Sequence, residues 1–351
     1  MKNAHDIDAR SRVAIDLAAV AHNVRTLREL VHPAELWAVV KADGYGHGAL
    51  RVAQAALEAG ASALCVATAA EATELRSSQG SARVLVLGDL SRADHELVRA
   101  AGAEVVAGAG PPPRGVAIHL KIDTGMGRGG VRPEDLDAQP SDGVVGVMTH
   151  LAGADAATHD EFTELQLERF EQASARFAGL PRHAANSAAA LRFPRARYDA
   201  VRCGIALYGL SPLADGSDEL GLVPALSWHS TVRATKTLRA GESTGYGRRF
   251  VAEASTRIGL VPVGYADGFP RALRGAKVLV DGAFCRVVGT PSMDSFTVEM
   301  PPSASEGALV TIVGEGLRAE EHARALGTIN YEFVCGIANN PARCTWVFHG
   351  G

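Results

Sequence analysis

Hydrophobic and polar positions between residue 35 and about 210 repeat one plan: a short apolar run ends in glycine or a polar residue, and a longer amphipathic stretch rich in Ala and Leu follows. Eight runs read as strands: "ELWAVVKADG", "ASALCVAT", "ARVLVLGD", "AEVVAG", "GVAIHLKIDTG", "GVVGVMTH", "PRHAANS" and "AVRCGIALYG". Between them, "ALRVAQAALEAG", "ADHELVRAAG" and "DEFTELQLERFEQASARFAGL" carry helical spacing. Eight strands alternating with helices over roughly 180 residues suit an α/β fold, either a parallel (β/α)8 TIM-type barrel or an open doubly wound sheet. The barrel is the expectation. Near residue 215 the texture changes: a polar connector, "SPLADGSDELGLVP", leads into alternating β-branched runs such as "LSWHSTVRATKTL", "TRIGLVPVGYADG", "AKVLVDGAFCRVVGT", "SFTVEM" and "GALVTIVG". The chain is expected to divide into a barrel over residues 1–221 and a mainly β C-terminal domain over residues 222–351.

Composition narrows the function. The 351 residues carry a formal charge of -4 with no Lys/Arg-rich run, so there is no electrostatic footprint for nucleic acid. No window approaches the roughly 18 uninterrupted apolar residues of a membrane span. A small-molecule substrate is expected. The N-terminus, "MKNAHDIDARSR", alternates charges where a secretory signal needs an apolar region, which points to the cytoplasm. Five cysteines, an odd number without C-x-x-C spacing, argue against a disulfide framework or zinc site. His150 and His159 lie nine apart with no ordered carboxylate partner, so no metal is expected.

In a barrel, active sites are built at the C-terminal strand ends. Here those ends carry Lys41, Lys121 with Arg128, His150, Asn186 with Ser187, and Arg202. Singly, each has an ordinary reading as a solvated loop charge or a structural histidine. Together they form a cationic ring rich in amides and hydroxyls, suited to a phosphate and a carboxylate. A lysine in such a ring invites a Schiff base with an aldehyde cofactor, because burial among cations lowers its pKa and frees the amine. In "AVVKADGYGHGA" the glycines after Lys41 either let backbone approach a flat ring or simply make a tight turn.

Several motifs then match in order: "AVVKADGYGHG", "KIDTGMGRGG", "THLAGAD", "HAANSAA", "VRCGIALYG", "GYGRRF", "VPVGYADGF" and "SMD". Over nearly its whole length the chain resembles alanine racemase, a family of pyridoxal phosphate (PLP) isomerases with a barrel and a β domain. The resemblance implies that Lys41 binds PLP and serves as one catalytic base. It makes Tyr246 the other base, supplied by the second subunit of a homodimer. It further implies Arg202 at the pyridine nitrogen with His150 behind it. Tyr45, Ser187 and the backbone of Gly204 and Ile205 would bind the phosphate, with Asn186 beside them. Arg128 and the Met293 amide would hold the substrate carboxylate, Lys121 would be open to carbamylation, and Tyr265 and Arg271 would line the entrance. The implied role is D-alanine supply for the cell wall.

Two departures stand out. Thr290 in "VVGTPSMD" takes the place of an entrance arginine, and Asn339 in "CGIANNPAR" takes that of a tyrosine narrowing the substrate pocket, with Asn340 the counterpart if the match slips by one. A polar, roomier pocket makes a serine or broader-specificity racemase the alternative. A barrel-type PLP decarboxylase would be expected to place glutamate where Arg202 stands, and a non-enzymatic PLP carrier would lack the β domain.

Overall fold

The computed structural model describes residues 9–108, 113–138, 142–217 and 220–351. Residues 1–8, on which the cytoplasmic expectation largely rests, lie outside them. The chain forms two compact units, Ala18–Val223 and the pairing of Met1–Leu17 with Pro224–Gly351. The first strand, β1 (Ser11–Asp16), belongs to the latter unit.

The Ala18–Val223 unit is a closed barrel of eight parallel strands: β2 (Glu35–Val39), β3 (Ala63–Val66), β4 (Val84–Val86), β5 (Glu104–Ala107), β6 (Ile118–Lys121), β7 (Val144–Met148), β8 (Arg182–His183) and β9 (Ala200–Cys203). Each lies inside one of the eight expected runs. Pairing of β9 with β2, Trp37 opposite Arg202, closes the ring and rules out the open sheet. Strands covered on both faces read as continuous apolar runs: Leu36, Trp37, Ala38 and Val39 are all buried. Helices Ala49–Glu58, Ala69–Gln79, Asp94–Ala100 and Asp160–Ser174 follow their strands. Helix Ala69–Gln79 starts on a capping box, in which the Thr68 hydroxyl accepts from the Glu71 amide at 3.2 Å and the Glu71 carboxylate accepts from the Thr68 amide at 3.1 Å. Cys65 and Cys203 are buried in strands, and burial pushes both thiols up to about 12, leaving them protonated and unreactive.

The second unit contains β10 (Leu226–Thr231), β11 (Ala234–Leu238), a ribbon of β12 (Ser243–Thr244) with β13 (Phe250–Val251), then β14 (Thr256–Val261), β15 (Lys277–Val280), β16 (Ala283–Val288), β17 (Phe296–Glu299), β18 (Leu309–Val313) and β19 (Cys344–His349). One nine-stranded sheet runs β11-β14-β17-β16-β15-β18-β10-β1-β19. The expectation that residues 1–221 all serve the barrel is corrected at its start. Strand β1 buries Ser11, Val13 and Ile15 and pairs with β10 and β19, strands more than 200 residues away. Two-residue periodicity marks "SRVAID" as a strand, but only the register with β10 and β19 says which sheet takes it. Among the described residues no helix is long and apolar enough to cross a membrane, and no group of three or more His, Cys, Asp or Glu is placed to hold a metal ion.

Candidate active site

Lys41 follows β2 by two residues and opens a backbone turn of unusual hand. Ala42, Asp43, Gly44 and Tyr45 all have φ between 51° and 62°, a left-handed turn that L-residues adopt at a cost of roughly 1–2 kcal/mol each. The surroundings hold it. The Glu71 carboxylate, already capping its own helix, accepts from the Ala42 amide at 2.8 Å, and the Asp43 carboxylate accepts from the Ala49 amide at 2.9 Å. Of the two readings of the glycines, the turn is therefore observed, and three of its four left-handed positions are not glycine. Its effect is to bring Tyr45 inward: the ring packs on Tyr208, centroids 5.2 Å apart, and is buried. Gly204, just after β9, has no room for a side chain, since a Cβ there would stand 2.4 Å from the Tyr45 hydroxyl. The Gly204 amide donates to the Ser187 hydroxyl at 2.9 Å. Asn186 caps the helix Ser187–Arg192, its side-chain oxygen accepting from the Ala189 amide at 3.0 Å. Tyr45, Ser187 and Gly204 thus meet in one small cradle.

Arg202, in β9, is 3% exposed and forms no ion pair among the described residues. One terminal nitrogen donates to His183 Nδ1 (2.8 Å) and the His183 carbonyl (3.0 Å). The other donates to the Thr149 and Ala184 carbonyls (3.0 Å each) and, at 3.4 Å, to His150 Nδ1. Its Nε–H has no partner among the described residues. Burial lowers the guanidinium to about 10, so it stays charged near neutrality. His150 registers the whole ring: burial pushes it down to about 3, assisted in order by Arg202, Arg128, Lys121 and Lys41. Lys121, at the end of β6, donates to the Arg128 carbonyl at 2.6 Å, and burial, then Arg128, lowers its pKa. Of the expected barrel positions, Lys41, Lys121, Arg128 and Arg202 act on His150, while Tyr45 and Ser187 meet at Gly204.

These groups fit PLP. The cradle beside Gly204 offers hydroxyls and backbone at a spot a Cβ would fill. The buried guanidinium has a spare donor and lacks a carboxylate, which suits a neutral ring acceptor better than an acid. Sequence reasoning missed His183, which is closer to Arg202 than His150 is. A histidine inside an apolar run gives no sign of its partner 19 residues on.

In the other unit, Tyr246 opens a short turn and is 69% exposed. Thr290 is not simply a lost charge: its hydroxyl donates to the Tyr246 carbonyl at 3.2 Å. The Tyr265 and Met293 loops are zipped together, the Tyr265 amide donating to the Ser292 carbonyl (3.0 Å) and the Ala266 amide to that of Met293 (3.1 Å). Beneath them the buried Asp267 carboxylate accepts two bonds from Arg343 (2.7 and 2.9 Å) and one from the Gly264 amide (2.8 Å). Arg271 and Asn339 are exposed; Asn340 is committed locally, its side-chain oxygen accepting from the Ala342 amide at 3.0 Å.

Burial lowers five histidines, His47, His150, His183, His229 and His322, and so makes stability depend on pH, the first three most strongly. Burial holds His47 at about 4 and His150 at about 3, and puts His183 well below its ordinary 6.5. Their folded values lie below the unfolded value, so their contribution is full above pH 6.5 and is lost as pH falls toward the folded values. The unfolding free energy from urea titration should therefore drop between pH 7.5 and 5, by up to about 2 kcal/mol per histidine, and the midpoint with it. A midpoint that stays level across this range would contradict the neutral assignments.

Comparison with known proteins was consistent along the chain. Residues 15–212 match the family model for the alanine racemase N-terminal domain and residues 225–345 that for its C-terminal domain. An alanine racemase of Symbiobacterium thermophilum is 41% identical, with 96% of each chain covered. Among solved structures, alanine racemase from Streptomyces lavendulae superposes with a TM-score of 0.90 at 36% identity, covering 98% of both chains. One from Bartonella henselae with covalently bound pyridoxal phosphate superposes at 0.89 with 26% identity, covering 97% of this chain and 99% of that one.

Proposed function

The chain belongs to the alanine racemase family and is a PLP-dependent isomerase acting on alanine, and on that premise we propose that Lys41 and Tyr246 are its two bases. Bound PLP supplies an aldehyde that condenses with an amine and a conjugated ring that delocalises the electron pair left at the substrate α-carbon. Lys41 would hold the cofactor at that aldehyde. Tyr45, Ser187 and the backbone of Gly204 and Ile205 would take the phosphate, with Asn186 beside them, and Arg202 would donate through Nε–H to the ring nitrogen. Because Arg202 would give a hydrogen bond without giving up its proton, the ring would be a weaker electron sink and more of the charge would remain at the α-carbon, where reprotonation is racemisation. Inversion needs a proton to leave one face and be returned on the other, which an amine and a phenol on opposite faces provide.

Arg128 and the Met293 amide would hold the substrate carboxylate, and a carbamylated Lys121 would orient Arg128. Tyr265 and Arg271 would line the entrance. The exposure of Tyr246, Tyr265 and Met293 (69%, 43% and 52%) supports a homodimer in which each β unit completes the site of the partner subunit. Small amino acids would be the substrates, and the cytoplasm the working compartment. The observation that carries the assignment is the buried Arg202, bonded to His183 and His150 with its Nε–H unpartnered among the described residues, in the same barrel as the cradle of Tyr45, Ser187 and Gly204. The test is racemisation of L-alanine with added PLP, followed by chiral chromatography. Lys41→Ala should lower kcat at least about 10⁴-fold; a variant that still racemises would remove Lys41 from the mechanism. L-serine in the same assay decides whether Asn339 and Thr290 admit a polar side chain.

A further inference from the structure

Barrel interiors are usually filled by branched apolar side chains, but here a line of polar groups crosses from the N-terminal rim to Arg202. Behind Arg202, His183 Nε2 stands 2.7 Å from His119 Nδ1, and His119 Nε2 stands 2.8 Å from a Glu104 oxygen. His119 and His183 are fully buried. They come from β6 and β8, which do not pair with each other because β7 runs between them. They meet because β7 carries Gly146: a Cβ there would lie 2.5 Å from His119 Nδ1, the atom that faces His183. The wall is aromatic. Trp37, 1% exposed, lies tilted on His183 at 4.6 Å and edge-on to His119 at 5.6 Å. At the rim, Arg83 donates to both Glu104 oxygens (2.8 and 3.0 Å) while its guanidinium lies over the Trp37 ring at 4.6 Å.

The protons in this line have one consistent arrangement. Arginine can only donate, so His183 Nδ1 accepts and its hydrogen is on Nε2. His183 therefore donates to His119 Nδ1, which puts the hydrogen of His119 on Nε2, donated to Glu104. Every bond points from the guanidinium to the carboxylate. Burial opposes the charge of Glu104, but donation from His119 and Arg83 outweighs it and leaves the carboxyl below its ordinary range. A buried cation without an adjacent acid is thus connected through two neutral rings to a carboxylate that it shares with Arg83, and coupled hydrogen bonds in a dry interior polarise one another.

We propose that Glu104, His119 and His183 are positioning residues for Arg202, a directional relay that fixes the guanidinium and offsets its charge so that its Nε–H is presented to the cofactor ring. The last clause rests on the assignment of Arg202 to the ring nitrogen; the direction of the relay does not.

Selective ¹⁵N-histidine labelling of the wild-type holoenzyme, read by NMR at neutral pH, should show His119 and His183 both neutral and protonated on Nε2. An Nδ1–H tautomer or an imidazolium at either would overturn the relay, and this measurement needs no variant to fold. Glu104→Gln retains an acceptor but removes the charge. It should lower kcat about tenfold with KM for alanine within twofold, and displace the visible absorption band of bound PLP. Gly146→Ala, which leaves every charge in place and wedges the imidazoles apart, should reproduce that loss. If Glu104→Gln leaves both kcat and the band unchanged, the relay does not act on Arg202. Should Lys41→Ala remain active, the catalytic assignment fails while the tautomers still decide the relay.

Discussion

Co-expressed Lys41→Ala and Tyr246→Phe subunits will racemise alanine at about one quarter of the wild-type rate, although each variant alone is nearly inactive. In the proposed homodimer, random assembly makes half of the dimers mixed. In a mixed dimer one site carries both substitutions, while the other joins the intact Lys41 of one subunit to the intact Tyr246 of its partner. Half of the dimers with half of their sites restored leaves a quarter. Tyr246→Phe alone should cost about 10²–10⁴ in kcat, the range for losing a positioned acid–base group. If Tyr246 served its own chain, every site in the mixture would lack one base and activity would stay near zero. Separate affinity tags on the two variants, purified in tandem, would isolate the mixed species, which should turn over at half the wild-type rate per dimer.

Arg202→Ala is expected to damage stability and catalysis together. In the wild type one guanidinium serves His183 Nδ1, His150 Nδ1 and the carbonyls of Thr149, His183 and Ala184. Removing it strands these buried acceptors and takes away the donor at the head of the line, while Glu104 keeps its ion pair with Arg83. Leaving buried acceptors without a donor costs about 1–3 kcal/mol for each one stranded. If Arg202 is the proposed donor to the cofactor ring, its loss should also lower kcat by about 10²–10³. Urea titration of the cofactor-free protein measures the first effect and steady-state racemisation the second. A variant within 1 kcal/mol and threefold of wild type would show that the guanidinium is neither a structural hub nor a ring donor.

Much of this was legible in the chain, and the reason is local. A strand buried on both faces must be apolar throughout, so the eight barrel runs stand out from the amphipathic helices between them. The change to two-residue alternation after residue 215 marks the β unit for the same reason. Lys41 is conspicuous because a charge ends an apolar strand before a cluster of glycines. Strands β1 and β19 were less legible. Each is six residues long, and their pairing joins the two ends of the chain in one sheet. Nothing near Ser11 in sequence distinguishes its place in that sheet from a barrel position.

Asn339 and Asn340 show the limit at a single residue. Motif spacing left the register open by one position; both residues are exposed, and the Asn340 side chain accepts from the Ala342 amide in a local turn. Thr290 likewise reads as an absent charge until its bond to the Tyr246 carbonyl is seen.

The sequence by itself determined the order of strands and helices, the change of texture between units, and the residue types that can bind an aldehyde, a phosphate and a carboxylate. Each of these depends on periodicity or on the chemistry of one side chain. Tertiary structure alone decided the left-handed turn at Lys41, the place of β1, and the line from Glu104 through His119 and His183 to Arg202. Those depend on which atoms meet. His119 and His183 are 64 residues apart, and their contact exists because β7 passes between their strands with a hydrogen atom, at Gly146, where any other residue would put a side chain.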